Sequence, residues 1–146
     1  MNKEFVMRGQ TASGETEVLN FSGNTPGYAY RITEFSLYPS TGIGSAAYEL
    51  VGSITAGKTA IVPTDPNFND EGLIGTAYAN SNASPDGDFR AVINDTFLIT
   101  QDLILMVQNA ASAGSPVNWQ CRFLAEKMNS NEEAVTNFKQ YSISSD

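Results

Sequence analysis

The 146-residue sequence contains no histidine and a single cysteine, Cys121. Without histidine there is no Ser-His or Cys-His nucleophilic pair, and the commonest transition-metal ligand is missing. One cysteine excludes an intramolecular disulfide and any zinc site built on paired thiolates, so stability has to come from packing. Cations are scarce as well. Eight Lys and Arg face 16 Asp and Glu for a net charge of -8, and Lys3, Arg8, Arg31, Lys58, Arg90, Arg122, Lys127 and Lys139 are scattered along the chain. A surface that tracks phosphates needs clustered cations, which argues against nucleic acid and anionic membranes as partners. No apolar run approaches the roughly 20 residues of a membrane-spanning helix. The segment Met1 to Arg8 lacks the apolar core of a signal peptide, so synthesis in a cytoplasm is the expectation. Charged residues make up 16% of the chain, against about 25% in an average globular protein. The surface this leaves is rich in Gly, Ser, Thr, Asn and Ala, and suits a packed assembly or a turn-rich β domain.

What is present reads as β structure. Residues 1–15 form a polar leader in which Gly9, Ser13 and Gly14 predict an extended N-terminal arm, and residues 16–146 a single β-sandwich domain. The first strand begins near Thr16 and includes Val18 and Leu19. Tyr28, Tyr30 and Ile32 share one phase and Phe35 and Leu37 the other, so a β-bulge is expected at Thr33-Glu34. Ala47 to Thr55 predicts a strand with Leu50 and Ile54 in the core. Pro63 to Gly72 predicts a long loop, because its Pro, Asp, Asn and Gly residues favour turns. Strands follow at Leu73–Asn80, Phe89–Ile93 and Phe97–Ile99. Leu103 to Val107 is apolar at every position and predicts a central strand buried on both faces, with a neighbouring subunit as one candidate cover and a helix as the competing reading. Val117, Trp119, Cys121 and Phe123 alternate with polar residues, the clearest strand pattern in the chain. Ser130 and Glu133 have capping-box spacing and predict a short C-terminal helix to about Lys139, followed by extended residues at Tyr141 and Ile143. Short strands separated by turns indicate an all-β, antiparallel β-sandwich, jelly-roll-like.

One stretch matches a functional motif. Gly52-Ser53-Ile54-Thr55-Ala56-Gly57-Lys58-Thr59 satisfies the phosphate-binding loop pattern at every fixed position, but that loop works only between a strand and a helix. Pro63 and Pro66 follow too closely for a helix, so a strand end and a turn are the preferred reading. Asp65, Asn67 and Asn69 imitate the start of a calcium loop. The imitation fails where Asp70 replaces the turn glycine and Thr76 the bidentate glutamate, leaving an Asx-turn loop as the better account and a weak cation site as the alternative. The carboxylate pairs Asp70/Glu71 and Asp86/Asp88 lie in turn segments and are not singled out for acid–base work. Cys121 reads as a small buried hydrophobe. Tyr30 and Trp119 read as core, whereas Tyr28, Tyr38 and Tyr48 are candidates for exposure. No catalytic, cofactor-binding or metal-ligating residue is assigned, and the chain is expected not to be an enzyme.

The stretches FSGNTPGYAYRITEFSLYPS, LVGSITAGKTA, DPNFNDEGLIGTA, VINDTFLITQDLILMVQ and PVNWQCRFLAEKM resemble small virion structural proteins of marine tailed bacteriophages, over about Phe21 to Tyr141. The resemblance carries no residue-level function. It implies a homo-oligomeric subunit, a trimer among the options, that decorates or cements the outer capsid surface and contacts the major capsid protein or another virion protein. The negative charge suits that location better than one facing packaged DNA. On the same reading the N-terminal arm lies across an adjacent subunit and orders on assembly. Two other readings stand beside it: a tail, collar or fibre adaptor, and a carbohydrate-binding module that uses Tyr38, Tyr48 or Phe68 with the Asp65–Asp70 loop.

Overall fold

The computed structural model describes residues 3–21, 27–41, 47–57, 59–81, 88–110 and 115–128, and eight strands form among them. These are β1 (Lys3–Thr11), β2 (Thr16–Leu19), β3 (Tyr28–Pro39), β4 (Tyr48–Ala56), β5 (Leu73–Ser81), β6 (Asp88–Ile93), β7 (Leu103–Asn109) and β8 (Val117–Lys127). They make two antiparallel sheets, a three-stranded one in the order β1-β8-β3 and a five-stranded one in the order β2-β7-β4-β5-β6. The pairings nest along the chain. β1 pairs with β8, β2 with β7 and β4 with β5, while β3 packs against β6 without sharing a ladder because β6 is bonded to β5.

Period-two alternation decides which face each strand buries. In β8, Val117, Trp119, Cys121 and Phe123 point into the core, and in the facing sheet Leu103, Leu105 and Val107 of β7 meet Leu50 and Ile54 of β4. The register of β3 on β8 slips between Ile32 and Glu34, at the expected bulge, so Ile32, Phe35 and Leu37 all reach the core despite their change of phase. One end is closed by four rings. Phe5 stacks on Phe123 at a centroid distance of 5.6 Å and meets Tyr30 edge-on at 5.6 Å, while Phe21 lies 4.9 Å from Phe123 and 5.1 Å from Tyr30. The Phe21 backbone N–H donates to Asp102 Oδ1 at 2.7 Å, which ties this corner to the start of β7.

Several expectations need correction. Residues Lys3–Thr11 are not an arm leaving the domain; they pair with β8 over nine consecutive positions of the same chain. The packing of half-buried Phe5 against three aromatic rings supplies the force that a polar reading of the leader missed. Phe97–Ile99 does not form a strand of its own, and only Ile99 bridges to Tyr30. β7 is an interior strand of its sheet and within the single chain buries one face: Leu103, Leu105 and Val107 are buried, whereas Ile104 and Met106, on the face assigned to a neighbouring subunit, are half-buried. The expected helix at Ser130–Lys139 and the extended Tyr141–Ile143 lie outside the described residues.

The phosphate-loop pattern is mostly strand. Gly52 to Ala56 are the end of β4, between β5 and β7, and their backbone groups serve those two ladders rather than an anion. Gly52 faces the core, where an added Cβ would sit 3.0 Å from Phe35 Cζ and 3.2 Å from Leu37 Cδ2. Gly57, at φ +152°, ends the strand in a backbone region that favours glycine. The chain then folds back over the outer face of its own sheet. Ser53 Oγ donates to the Ile61 carbonyl at 2.5 Å and the Ile61 N–H donates to Thr55 Oγ1 at 3.2 Å, so two outward hydroxyls of β4 are buried under the loop they hold.

Equilibrium denaturation distinguishes this arrangement from a nucleotide site. Ile54→Ala is expected to cost about 2–5 kcal/mol by leaving a cavity, and Gly52→Ala about 1–3 kcal/mol by overpacking against Phe35. Lys58→Ala is expected to stay within about 0.5 kcal/mol of the parent. Thr55→Val removes the acceptor for Ile61, and limited proteolysis is expected to cut the 59–63 segment faster in that variant while the rest of the sandwich resists.

Candidate interaction surfaces

Several of the polar side chains considered for chemistry are occupied by the fold. Asp70 accepts the Gly72 N–H at 2.9 Å and Asn67 Oδ1 accepts the Asn69 N–H at 3.0 Å, so the calcium-like stretch is built of Asx turns. Thr76, at the position of the missing glutamate, lies within β5 and donates to the Gly52 carbonyl at 3.3 Å. Among the described residues no group of three or more His, Cys, Asp or Glu side chains could hold a metal ion. Asp88 pairs with Arg90 on exposed β6, and Asp86 lies outside the described residues. Among the described residues no helix is long and apolar enough to cross a membrane.

Cys121 is fully buried between Trp119 and Phe123, and burial pushes its thiol pKa up because the thiolate would lose its hydration. Trp119 is held by its ring N–H, which donates to Thr11 Oγ1 at 2.9 Å; that hydroxyl in turn donates to Glu17 Oε1 at 3.3 Å. The relay links the last residue of β1 to β2 and so joins the two sheets. Gly9 opposite Trp119 makes room for the indole, since a Cβ there would meet Cζ2 at 3.0 Å.

Three open surfaces stand out among the described residues. The first is the outer face of the five-stranded sheet around β2 and β7. Val18 is 64% exposed there beside its cross-strand neighbour Ile104, Met106 lies two pairs further along opposite Thr16, and Val62, next to the Ile61 that is bonded to β4, is 47% exposed. The second borders β5 and β6, where Phe68 and Val92 line a small cavity of about 180 Å³ with Leu73 and Ile93. β6 is the last strand of its sheet, and all its residues except half-buried Ile93 are exposed. The third is a groove of about 440 Å³ on the outer face of the three-stranded sheet, lined by Arg8, Ser36, Tyr38, Asn118 and Gln120.

This separates the aromatic residues proposed from sequence. Tyr30 and Trp119 are buried as expected, and Tyr28 and Tyr48 are half-buried. Tyr38 and Phe68 are both strongly exposed, but Tyr38 lies over the three-stranded sheet and Phe68 beside the five-stranded one. A composite site of Tyr38 with the Asp65–Asp70 loop is therefore not formed. Arg8, Asn118 and Gln120 were not singled out in the sequence; the signal available was their position on the polar phase of β1 and β8.

A thiol reagent such as dithionitrobenzoate is expected to leave Cys121 unmodified in the native protein and to titrate one thiol after unfolding. In comparisons with known proteins, the chain matches no family model, no curated protein and no solved structure.

Proposed function

We propose that this chain is a non-catalytic structural protein of a phage virion, a subunit that decorates or stabilises the capsid shell from outside. The observation that carries the reading is the apolar outer face at β2 and β7, where exposed Val18 lies beside half-buried Ile104 and Met106 on a chain of net charge -8. Apolar side chains grouped at a protein surface are a feature of contact sites. The sequence resemblance supports the same assignment. The contact partner on this reading is the major capsid protein or another copy of the chain, and an assembled homo-oligomer would cover the half-buried face of β7.

The strand order supports a jelly roll as the finer description of the fold. An eight-stranded jelly roll is a long hairpin, with rungs 1–8, 2–7, 3–6 and 4–5, wrapped into two sheets. Three of those rungs are ladders here, and the fourth, β3 with β6, is a packing contact. Such sandwiches present long strand edges and flat faces to neighbours.

Quantitative mass spectrometry of purified particles tests the proposal. Hundreds of copies per particle are expected for a shell protein, a dozen or fewer would move the chain to the tail, collar or fibre, and absence would refute a virion role. Val18→Asp combined with Met106→Asp is expected to lower occupancy on the shell about tenfold or more while the melting temperature of the isolated protein stays close to the parent value, since neither side chain is in the core. Unchanged thermal stability of particles lacking the chain would rule out a cementing role.

A further inference from the structure

We propose that the groove across the outer face of the three-stranded sheet binds a carbohydrate bearing a carboxylate, with Tyr38 as the stacking surface and Arg8 as the group that recognises the acid. The ladders place the parts. Arg8 of β1 lies opposite Gln120 of β8, which lies opposite Ser36 of β3, and the adjacent row is Gln10, Asn118 and Tyr38. All six belong to the solvent-facing phase of their strands. From strand spacing and rise, the Cα atoms of Arg8 and Tyr38 stand about 12 Å apart on a diagonal across β8, a span suited to a di- or trisaccharide.

The chemistry of the groove favours a sugar over an apolar ligand or a peptide strand. Its volume of about 440 Å³ lies within the range of small-molecule sites, unlike the 180 Å³ cavity at Phe68. Tyr38 is 61% exposed and offers a ring face for sugar C–H groups, whereas Trp119, the other aromatic residue of the lining, is buried. Amides supply the paired donors and acceptors that adjacent hydroxyls need. Asn118 is fixed for this role: it accepts from Gln10 Nε2 at 2.9 Å and donates to the Pro39 carbonyl at 3.4 Å. The side chains of Gln120 and Tyr38 make no hydrogen bond among the described residues, so their polar ends are available to a ligand.

Arg8 selects the charge of that ligand. Arg31 pairs with Glu126, Arg90 with Asp88, and Arg122 with Glu4 and Glu34, whereas Arg8 has no ion pair among the described residues. In a chain with twice as many acids as bases, an arginine left without a carboxylate beside hydrogen-bonding amides is suited to a carboxylate from outside. The site needs no cation, since the Asp65–Asp70 loop is not among the residues that line it.

Titration of the full chain with tri-galacturonic acid and with 3′-sialyllactose, followed by calorimetry and ligand-detected NMR, tests this, with lactose as the neutral control. At least one acidic probe is expected to bind about tenfold or more tightly than lactose. Arg8→Gln is expected to abolish that preference, Arg8→Lys to retain part of it, and Tyr38→Ala to weaken binding of the acidic probe about tenfold. Phe68→Ala and added EDTA are expected to change nothing. Both groove side chains face solvent, and unchanged circular dichroism and melting would establish that the variants are folded. Failure of both acidic probes to bind overturns the proposal. So does binding that survives Arg8→Gln and Tyr38→Ala, or that disappears with EDTA.

Discussion

The four-ring cluster of Phe5, Phe21, Tyr30 and Phe123 is the contact on which the arrangement of both sheets depends. Its members come from β1, the segment after β2, β3 and β8, so no two are neighbours in sequence. Stacked and edge-on ring pairs contribute about 0.5–1.5 kcal/mol each beyond their buried area. Here they also hold β1 against β8 and bring the chain entering β3 over the start of β7. The relay from Trp119 through Thr11 to Glu17 closes the connection between β1 and β2 with hydrogen bonds. Aromatic packing and one buried hydroxyl thus do the joining that a cysteine-poor chain cannot assign to disulfides.

From that closure follows the division of surfaces. Three strands cover five incompletely, and edge strand β6, although it packs against β3, keeps every residue except half-buried Ile93 exposed. The outer face of β4 is covered by the chain itself, through Ser53, Thr55 and the Ile61 segment, while the outer face of β2 and β7 is left apolar and open. The three-stranded sheet shows a different outside, with amides, one tyrosine and an arginine that has no ion pair among the described residues. A chain with an apolar face for assembly and a polar groove on the opposite sheet would be able to attach to a particle by one side and display the other. That arrangement makes the virion proposal and the carbohydrate proposal compatible while leaving them independent.

Much of the β pattern was legible because alternation is a local property. The phase change between Ile32 and Phe35 located the bulge, and the alternation from Val117 to Phe123 identified β8 and its buried face. The motif from Gly52 to Thr59 could be set aside because two nearby prolines prevent the helix that a phosphate site requires. The N-terminal strand was not legible, since Phe5-Val6-Met7 is a short apolar run in a polar segment, and the partial burial of Phe5 and Met7 depends on β8, more than a hundred residues away. β7 was read as buried on both faces because an apolar run does not say how much of each face is covered. The groove escaped notice for a similar reason: Arg8, Tyr38 and Gln120 are ordinary surface residues until three strands are set side by side.

Local sequence was enough to establish the all-β class and to exclude histidine- and disulfide-based chemistry. Strand periodicity, turn residues, the absence of histidine and the single cysteine are properties of composition and near neighbours, and they require no fold to interpret. Tertiary structure decided which strands pair, which faces stay open and which polar groups have no partner among the described residues. Those outcomes depend on contacts between residues far apart in sequence, where β1 meets β8 and Phe21 meets Phe123. Burial and charge pairing are set by the whole set of neighbours that such contacts assemble, which is why Arg8 acquires a distinct role only once its strand is in place.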